Sequence, residues 1–212
     1  CCLMDIDSRT SEHTGYIKTP SSTGLYTERQ SVMKEKVVIL LSDKRSGSTL
    51  FQRELCKHKD IQTVAYSSHT YLETHHWLKA AVILENDPTQ FAEGKRYKGY
   101  GSIANAKAYI VDTVKGNLSD FNTNLDDRNL VFSSWEAICQ KYAKPVFFEK
   151  SPQYLAHPAA LKLLMEWVEA TDFEVKVIGL SRNPMAVMYS AYELFHTPPD
   201  KRQNGWRKIQ EN

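Results

Sequence analysis

The stretch Lys36–Leu55, KVVILLSDKRSGSTLFQREL, decides how the rest of the chain is read. Val37 to Leu41 are β-branched and aliphatic with no polar face at a period of 3.6, the pattern of a strand buried on both sides. Ser42 to Gly47 form a tight polar loop, and from Ser48 to Lys57 the apolar residues Leu50, Phe51 and Leu55 recur at helical spacing. Strand, loop and helix in that order make a cradle for phosphate. The helix N-terminus presents unpaired N–H groups and the positive end of its dipole, Gly47 permits close approach to the backbone, and Lys44 and Arg45 add full charges. A turn without a ligand is the plainer alternative for this segment taken alone. A magnesium-dependent triphosphatase loop needs G-x-x-x-x-G-K-[ST], whereas here Ser48 follows Gly47 and the cations precede it.

Downstream, strands alternate with helices. Ile61 to Tyr66 reads as a short strand, Leu72 to Leu84 as a helix stopped before Pro88, and Asp87 to Gly101 as a loop. A helix over Ser102 to Val114 and the polar segment Lys115 to Asn129 precede a helix carrying Phe132, Trp135 and Ile138, which Pro145 ends. Val146 to Phe148 is a second buried strand, leading into Glu149-Lys150-Ser151-Pro152. Pro158 opens a helix with Leu161, Leu164, Met165 and Val168 on one face, and Val175 to Leu180 is a third strand. Asn183 can cap, and Pro184 can start, a helix reaching Phe195. This alternation predicts an α/β fold with a central parallel sheet, right-handed crossovers and helices on its flanks. Trp77, Trp135 and Trp167 fall on apolar faces and read as core.

The 212 residues suit one domain, and 42% hydrophobic content can fill its core. Residues 1–32, rich in Ser, Thr, Gly and charge, read as an irregular lead-in to a domain over 33–212. They are an extension, a remnant or a stalk. A net charge of +2 with 25% charged residues argues against a nucleic-acid partner, so any anion site is local. Cys1, Cys2, Cys56 and Cys139 show no C-x-x-C pairing, which favours reduced thiols and a cytoplasmic location, with the Golgi lumen as the alternative if residues 1–32 belong to a stalk. No apolar run approaches the ~20 residues that cross a bilayer. Asn117-Leu118-Ser119 fits the glycosylation triplet.

Ligands of parallel sheets gather at the carboxyl ends of strands, and three predicted ends are basic: Lys44-Arg45, Lys150 and Arg182. Scattered surface charge is the alternative for any one of them. His69, Glu73, His75 and His76 invite a metal reading, but H-x-x-x-E-x-H-H is not H-E-x-x-H. Adjacent His75 and His76 would also leave a helix in different directions, so no metal site is expected.

Arg45, Ser46, Gly47, Ser48 and Thr49 match [KR]-[ST]-G-[ST]-[ST], the 5′-phosphosulfate loop of sulfotransferases that use 3′-phosphoadenosine 5′-phosphosulfate (PAPS). Arg182 and Ser190, in RNPMAVMYS, match that family's 3′-phosphate motif. Phe148 to Tyr154 resembles the E-K-[ST]-P-x-Y segment of heparan-sulfate-type sulfotransferases and their bacterial carbohydrate-sulfating relatives. Leu72 to Trp77 is similar to their E-x-H-aromatic segment, with His76 where an aromatic is usual. The match runs from about Lys36 to Phe195 and implies a three-layer P-loop-like fold. It also implies a metal-free enzyme using PAPS, releasing adenosine 3′,5′-bisphosphate, and sulfating a hydroxyl or amine of a carbohydrate or small molecule. By this resemblance Glu73 is the catalytic base, His75 its neighbour and Lys150 a further catalytic group. Lys44 to Thr49, Arg182 and Ser190 bind the cofactor.

Sulfuryl transfer is an in-line displacement in which the acceptor loses a proton while the leaving phosphate oxygen gains charge, so a carboxylate and fixed cations suit it. A P-loop kinase-like phosphotransferase and a non-catalytic bisphosphate-binding protein are the rival readings. The resemblance also implies further helices after Ser190. Only Tyr192 to Asn212 follow, with Pro198, Pro199 and Gly205 expected to break any long helix, so a truncated or an unusually small domain is expected.

Overall fold

A computed structural model describes residues 2–4, 35–85 and 102–211; the predicted loop Asp87–Gly101 and most of residues 1–32 lie outside them. The sheet consists of β1 (Cys2–Met4), β2 (Lys36–Ser42), β3 (Ile61–Gln62), β4 (Val146–Lys150) and β5 (Glu174–Leu180). The helices are α1 (Ser48–Leu55), α2 (His76–Leu84), α3 (Ile103–Asn117), α4 (Asp127–Tyr142), α5 (Pro158–Ala170), α6 (Pro184–Phe195) and α7 (Pro199–Gln210). Strand order is β1-β5-β2-β4-β3. β5, β2, β4 and β3 run parallel, so β2 is central and its carboxyl end lies between those of β4 and β5. Within the predicted lead-in, β1 adds an antiparallel edge strand, pairing Cys2 with Gly179 and Met4 with Val177.

Successive strand residues point to opposite faces of the sheet. Val37 and its register partner Phe147 enter the main core, where Trp77, Trp135 and Trp167 meet in T-shaped and tilted contacts at centroid distances of 5.6 to 6.2 Å. The next pair, Val38 and Phe148, faces the other way, and Phe148 packs on Phe51 of α1 at 6.1 Å. Helices therefore cover both faces of a parallel α/β sheet, in three layers. α2 is buried on every side from His76 to Ile83, packing on α3, α4 and α5, which explains its almost wholly apolar sequence.

Three boundaries differ from expectation. α2 begins at His76, not Leu72, because Leu72 and His75 take left-handed backbone conformations (φ 55° and 50°) that a helix cannot contain. The strand after α1 is only Ile61–Gln62, its chain then leaving the sheet. Pro199 opens α7 instead of preventing it, since a proline in the first turn forfeits no intrahelical bond. Asn117 is buried: its amide accepts from the N–H groups of Ala65 and Tyr66 and donates to the carbonyls of Tyr66 and Thr113, a structural clamp and not an accessible glycan acceptor. No helix among the described residues is long and apolar enough to cross a membrane.

Candidate active site

The loop from β2 to α1 is shaped by two left-handed residues, Arg45 (φ 69°) and Gly47 (φ 92°). At Gly47 that conformation is cheap only without a Cβ. Gly47 is also the N-cap of α1 and offers no side chain to its first turn, leaving the helix N–H groups available to an anion. Ser46 Oγ is buried and has no hydrogen-bond partner among the described residues.

Cations gather around this loop from three other segments. Arg45 donates through Nε and Nη2 to Ser190 Oγ of α6 at 3.0 and 2.8 Å. Arg182, two residues past β5, donates to the Arg45 carbonyl at 3.1 Å. The two half-sites named from sequence, loop and α6, are thus joined through the Arg45 side chain and backbone. Arg202 of α7 donates to the Lys44 carbonyl at 3.0 Å and to the Asp43 carboxylate. Burial pushes the Lys44 ammonium down to about 8, with Glu73 and Asp43 opposing that effect.

Glu73 reaches the same place from the turn before α2. Its Oε1 accepts from Lys150 Nζ at 2.7 Å, and its Oε2 from His75 Nε2 at 2.9 Å and Gln153 Nε2 at 3.3 Å. Lys150, the last residue of β4 and fully buried, also donates to Thr49 Oγ1 in the first turn of α1 at 3.3 Å. Burial raises the Glu73 carboxyl, but the hydrogen bond from His75 and the Lys150 charge outweigh it and hold the pKa at about 2. Burial pushes His75 down to about 4, so at neutral pH the ring is uncharged and donates its Nε2–H to the carboxylate. His76 turns away to the Val131 carbonyl at 3.0 Å.

Behind Glu73 lies a second buried carboxylate that sequence reasoning left unassigned. Glu149 Oε1 accepts from Thr74 Oγ1 at 2.8 Å, Ser151 Oγ at 2.6 Å and Tyr154 OH at 3.4 Å, and Ser151 Oγ in turn accepts from the His75 N–H at 3.1 Å. One oxygen therefore ties the Glu73–His75 turn to the end of β4. Burial raises Glu149 to about 7, with the Ser151 and Thr74 hydroxyls opposing.

These groups surround a cavity of about 510 Å³. Lys44, Arg45, Ser48, Thr49 and Glu73 line it; Ser46, Gly47, His75, Lys150, Arg182 and Ser190 are not among the lining residues. Arg202 and Gln153 also line it, and neither was singled out from sequence. Arg202 lies on a helix that the two prolines had argued against, while Gln153 stood in view inside the E-K-S-P-Q-Y segment.

No family model matches the chain, and no curated protein matches it. Among solved structures it is similar to the sulfotransferase domain from the Synechococcus PCC 7002 olefin synthase. Identity is 19% and the TM-score 0.47, over 84% of this chain and 60% of that one, so the chain spans about three fifths of the length of that domain. A likeness this distant says nothing of activity.

Proposed function

We propose that this chain is a sulfotransferase domain that moves the sulfuryl group of PAPS to a hydroxyl or amine of a carbohydrate or other small molecule. One observation carries the reading: Lys150 Nζ bridges Glu73 Oε1 at 2.7 Å and Thr49 Oγ1 at 3.3 Å, coupling a candidate base to the phosphate loop through one buried cation. PAPS, when bound, supplies the activated sulfuryl group and a phosphate leaving group. The α1 N-terminus, Lys44, Arg45 and Ser46 fit its 5′ side, and Arg182 and Ser190, the latter bonded to Arg45, fit a 3′-phosphate.

Glu73 takes the acceptor's proton. A carboxylate held at about 2 is a weak base, but Lys150 is one of the groups that hold it there. As charge develops on the departing oxygen, Lys150 leans toward the loop and releases Glu73, so the base strengthens when it is needed. His75 keeps the second carboxylate oxygen oriented.

Titration of the chain with adenosine 3′,5′-bisphosphate, adenosine 5′-monophosphate and ATP, each with and without magnesium, tests the nucleotide. Tight, magnesium-independent bisphosphate binding is expected. Arg182→Ala should weaken it roughly 10- to 150-fold while scarcely affecting the monophosphate, because a hydrogen bond to a charged group is worth about 1.5–3 kcal/mol. Preference for ATP with magnesium, or equal losses for both adenosines, would overturn the proposal. Tight bisphosphate binding without turnover over an acceptor panel would favour a binding protein instead.

A further inference from the structure

The turn before α2 also assembles three metal-ligand atoms. His69 Nδ1 lies 3.5 Å from Glu73 Oε2, His75 Nε2 lies 2.9 Å from the same oxygen, and all three atoms fall within 4.8 Å of one another. Bonds of about 2.0–2.2 Å at tetrahedral angles place the ligands of a zinc ion about 3.3–3.5 Å apart, so these two edges need only small side-chain rotations to close on a metal. The two imidazoles are tilted 55° to each other with centroids 4.6 Å apart.

Two histidines and a glutamate with one open position is a donor set of zinc sites that keep an exchangeable ligand. Here His69 and Glu73 both line the cavity, so the fourth position opens into it. The other carboxylate oxygen is held by Lys150, an outer partner that fixes the ligand's orientation. The helix that was expected over Leu72–His75 would have separated these groups. The left-handed residues Leu72 and His75 fold the chain so that His69 and His75 reach one oxygen, while His76 is committed to Val131.

We propose that His69, Glu73 and His75 bind one zinc ion, and that zinc there blocks turnover by drawing on the Glu73 carboxylate through Oε2, so that the group no longer serves as the base for the acceptor's proton. The blocking half rests on the function proposed above; the binding half does not. Zinc accepts lone pairs from Glu73 Oε2, His69 Nδ1 and His75 Nε2; the long hydrogen bond from the Tyr71 N–H to His69 Nδ1, at 3.4 Å, is given up, and the His75 proton moves to the other ring nitrogen.

Metal-free chain is titrated with zinc chloride against a chromogenic chelator, and cobalt is substituted to read the ligand field. The expected result is one equivalent bound, with a tetrahedral cobalt spectrum lacking thiolate charge transfer. His69→Ala and His69→Gln, each checked by thermal melting, should weaken zinc by more than the roughly 10- to 100-fold that loss of an outer-shell partner costs. Absence of stoichiometric binding in the wild type overturns the site whatever the variants do. So does a thiolate band, which would place the metal on one of the four cysteines, or unchanged affinity in a folded His69 variant. Turnover equal in zinc-loaded and metal-free enzyme overturns the blocking role. If zinc binds as expected but no acceptor is sulfated after chelation, the enzymatic reading falls and the metal site stands.

Discussion

Glu149→Gln should abolish a pH dependence that the wild type carries. The Glu149 carboxyl is raised from 4.5 to about 7 because burial disfavours its charge more than the Ser151 and Thr74 hydroxyls favour it. Between those values the folded chain holds a proton that the unfolded chain has lost, so folding stability falls as pH rises and levels off above about 7. At about 1.36 kcal/mol per pKa unit the loss from pH 5 to pH 8 is on the order of 2–3 kcal/mol. Glutamine removes the titration and keeps an oxygen for Thr74, Ser151 and Tyr154. Its amide nitrogen takes the place of Oε2, which has no hydrogen-bond partner among the described residues, so no existing bond is lost. Urea unfolding of both proteins at pH 5, 6, 7 and 8 should therefore show the variant gaining about 2–3 kcal/mol on the wild type across the series. A constant difference would mean that Glu149 is charged throughout and that its surroundings are more polar than the three hydroxyls imply.

Three further outcomes follow from the same geometry. Glu73→Gln should lower turnover about 10²- to 10⁴-fold with bisphosphate affinity nearly unchanged, and retention of most activity would remove Glu73 as the base. The same variant leaves fully buried Lys150 beside a neutral amide, a loss on the order of 3–5 kcal/mol that Glu73→Gln/Lys150→Met should largely restore in urea unfolding; an equally unstable double variant would refute an ion-pair origin. Gly116→Ala would set a Cβ 2.0 Å from the Tyr66 ring, whose hydroxyl is tied to Asp112 at 2.8 Å, so about 1–3 kcal/mol of overpacking should outweigh the roughly 1 kcal/mol gained in helix propensity, and a raised melting temperature would show that the ring moves freely.

The sheet was legible because its strands are short, apolar and flanked by loops whose chemistry is local. Val37–Leu41 and Val175–Leu180 need no tertiary information to read as strands, and Asn183 and Pro184 announce α6 by capping rules alone; Asn183 does accept from the Met185 N–H at 2.9 Å. The edge strand Cys2–Met4 was not legible, since three residues carry no period and its pairing with β5 spans most of the chain. α7 was hidden by reading Pro198 and Pro199 as breakers when Pro199 occupies the one turn that tolerates it.

The site divides along the same line. The residues Lys44 to Thr49, Lys150 and Arg182 stand at strand ends, where topology alone brings them together, and the structure places them there. Glu73 and His75 were named through a resemblance, and their helical periodicity misled: the apolar pattern of α2 continues backward through Leu72, yet the backbone at Leu72 and His75 is left-handed. Periodicity reports which residues prefer to be buried, not what they bond once buried. What holds this turn against its local cost is tertiary, the hydroxyl of Thr74 and the N–H of His75 both fastened to the end of β4 through Glu149 and Ser151. A carboxylate that reads from sequence as the neighbour of a catalytic lysine is therefore the anchor of the candidate base, because the register that buries Phe147 also turns Glu149 to the core face and leaves Phe148 and Lys150 to the other. One alternation along five residues of β4 thus divides the labour, Lys150 facing the phosphate loop and Glu149 holding the turn that delivers Glu73 to it.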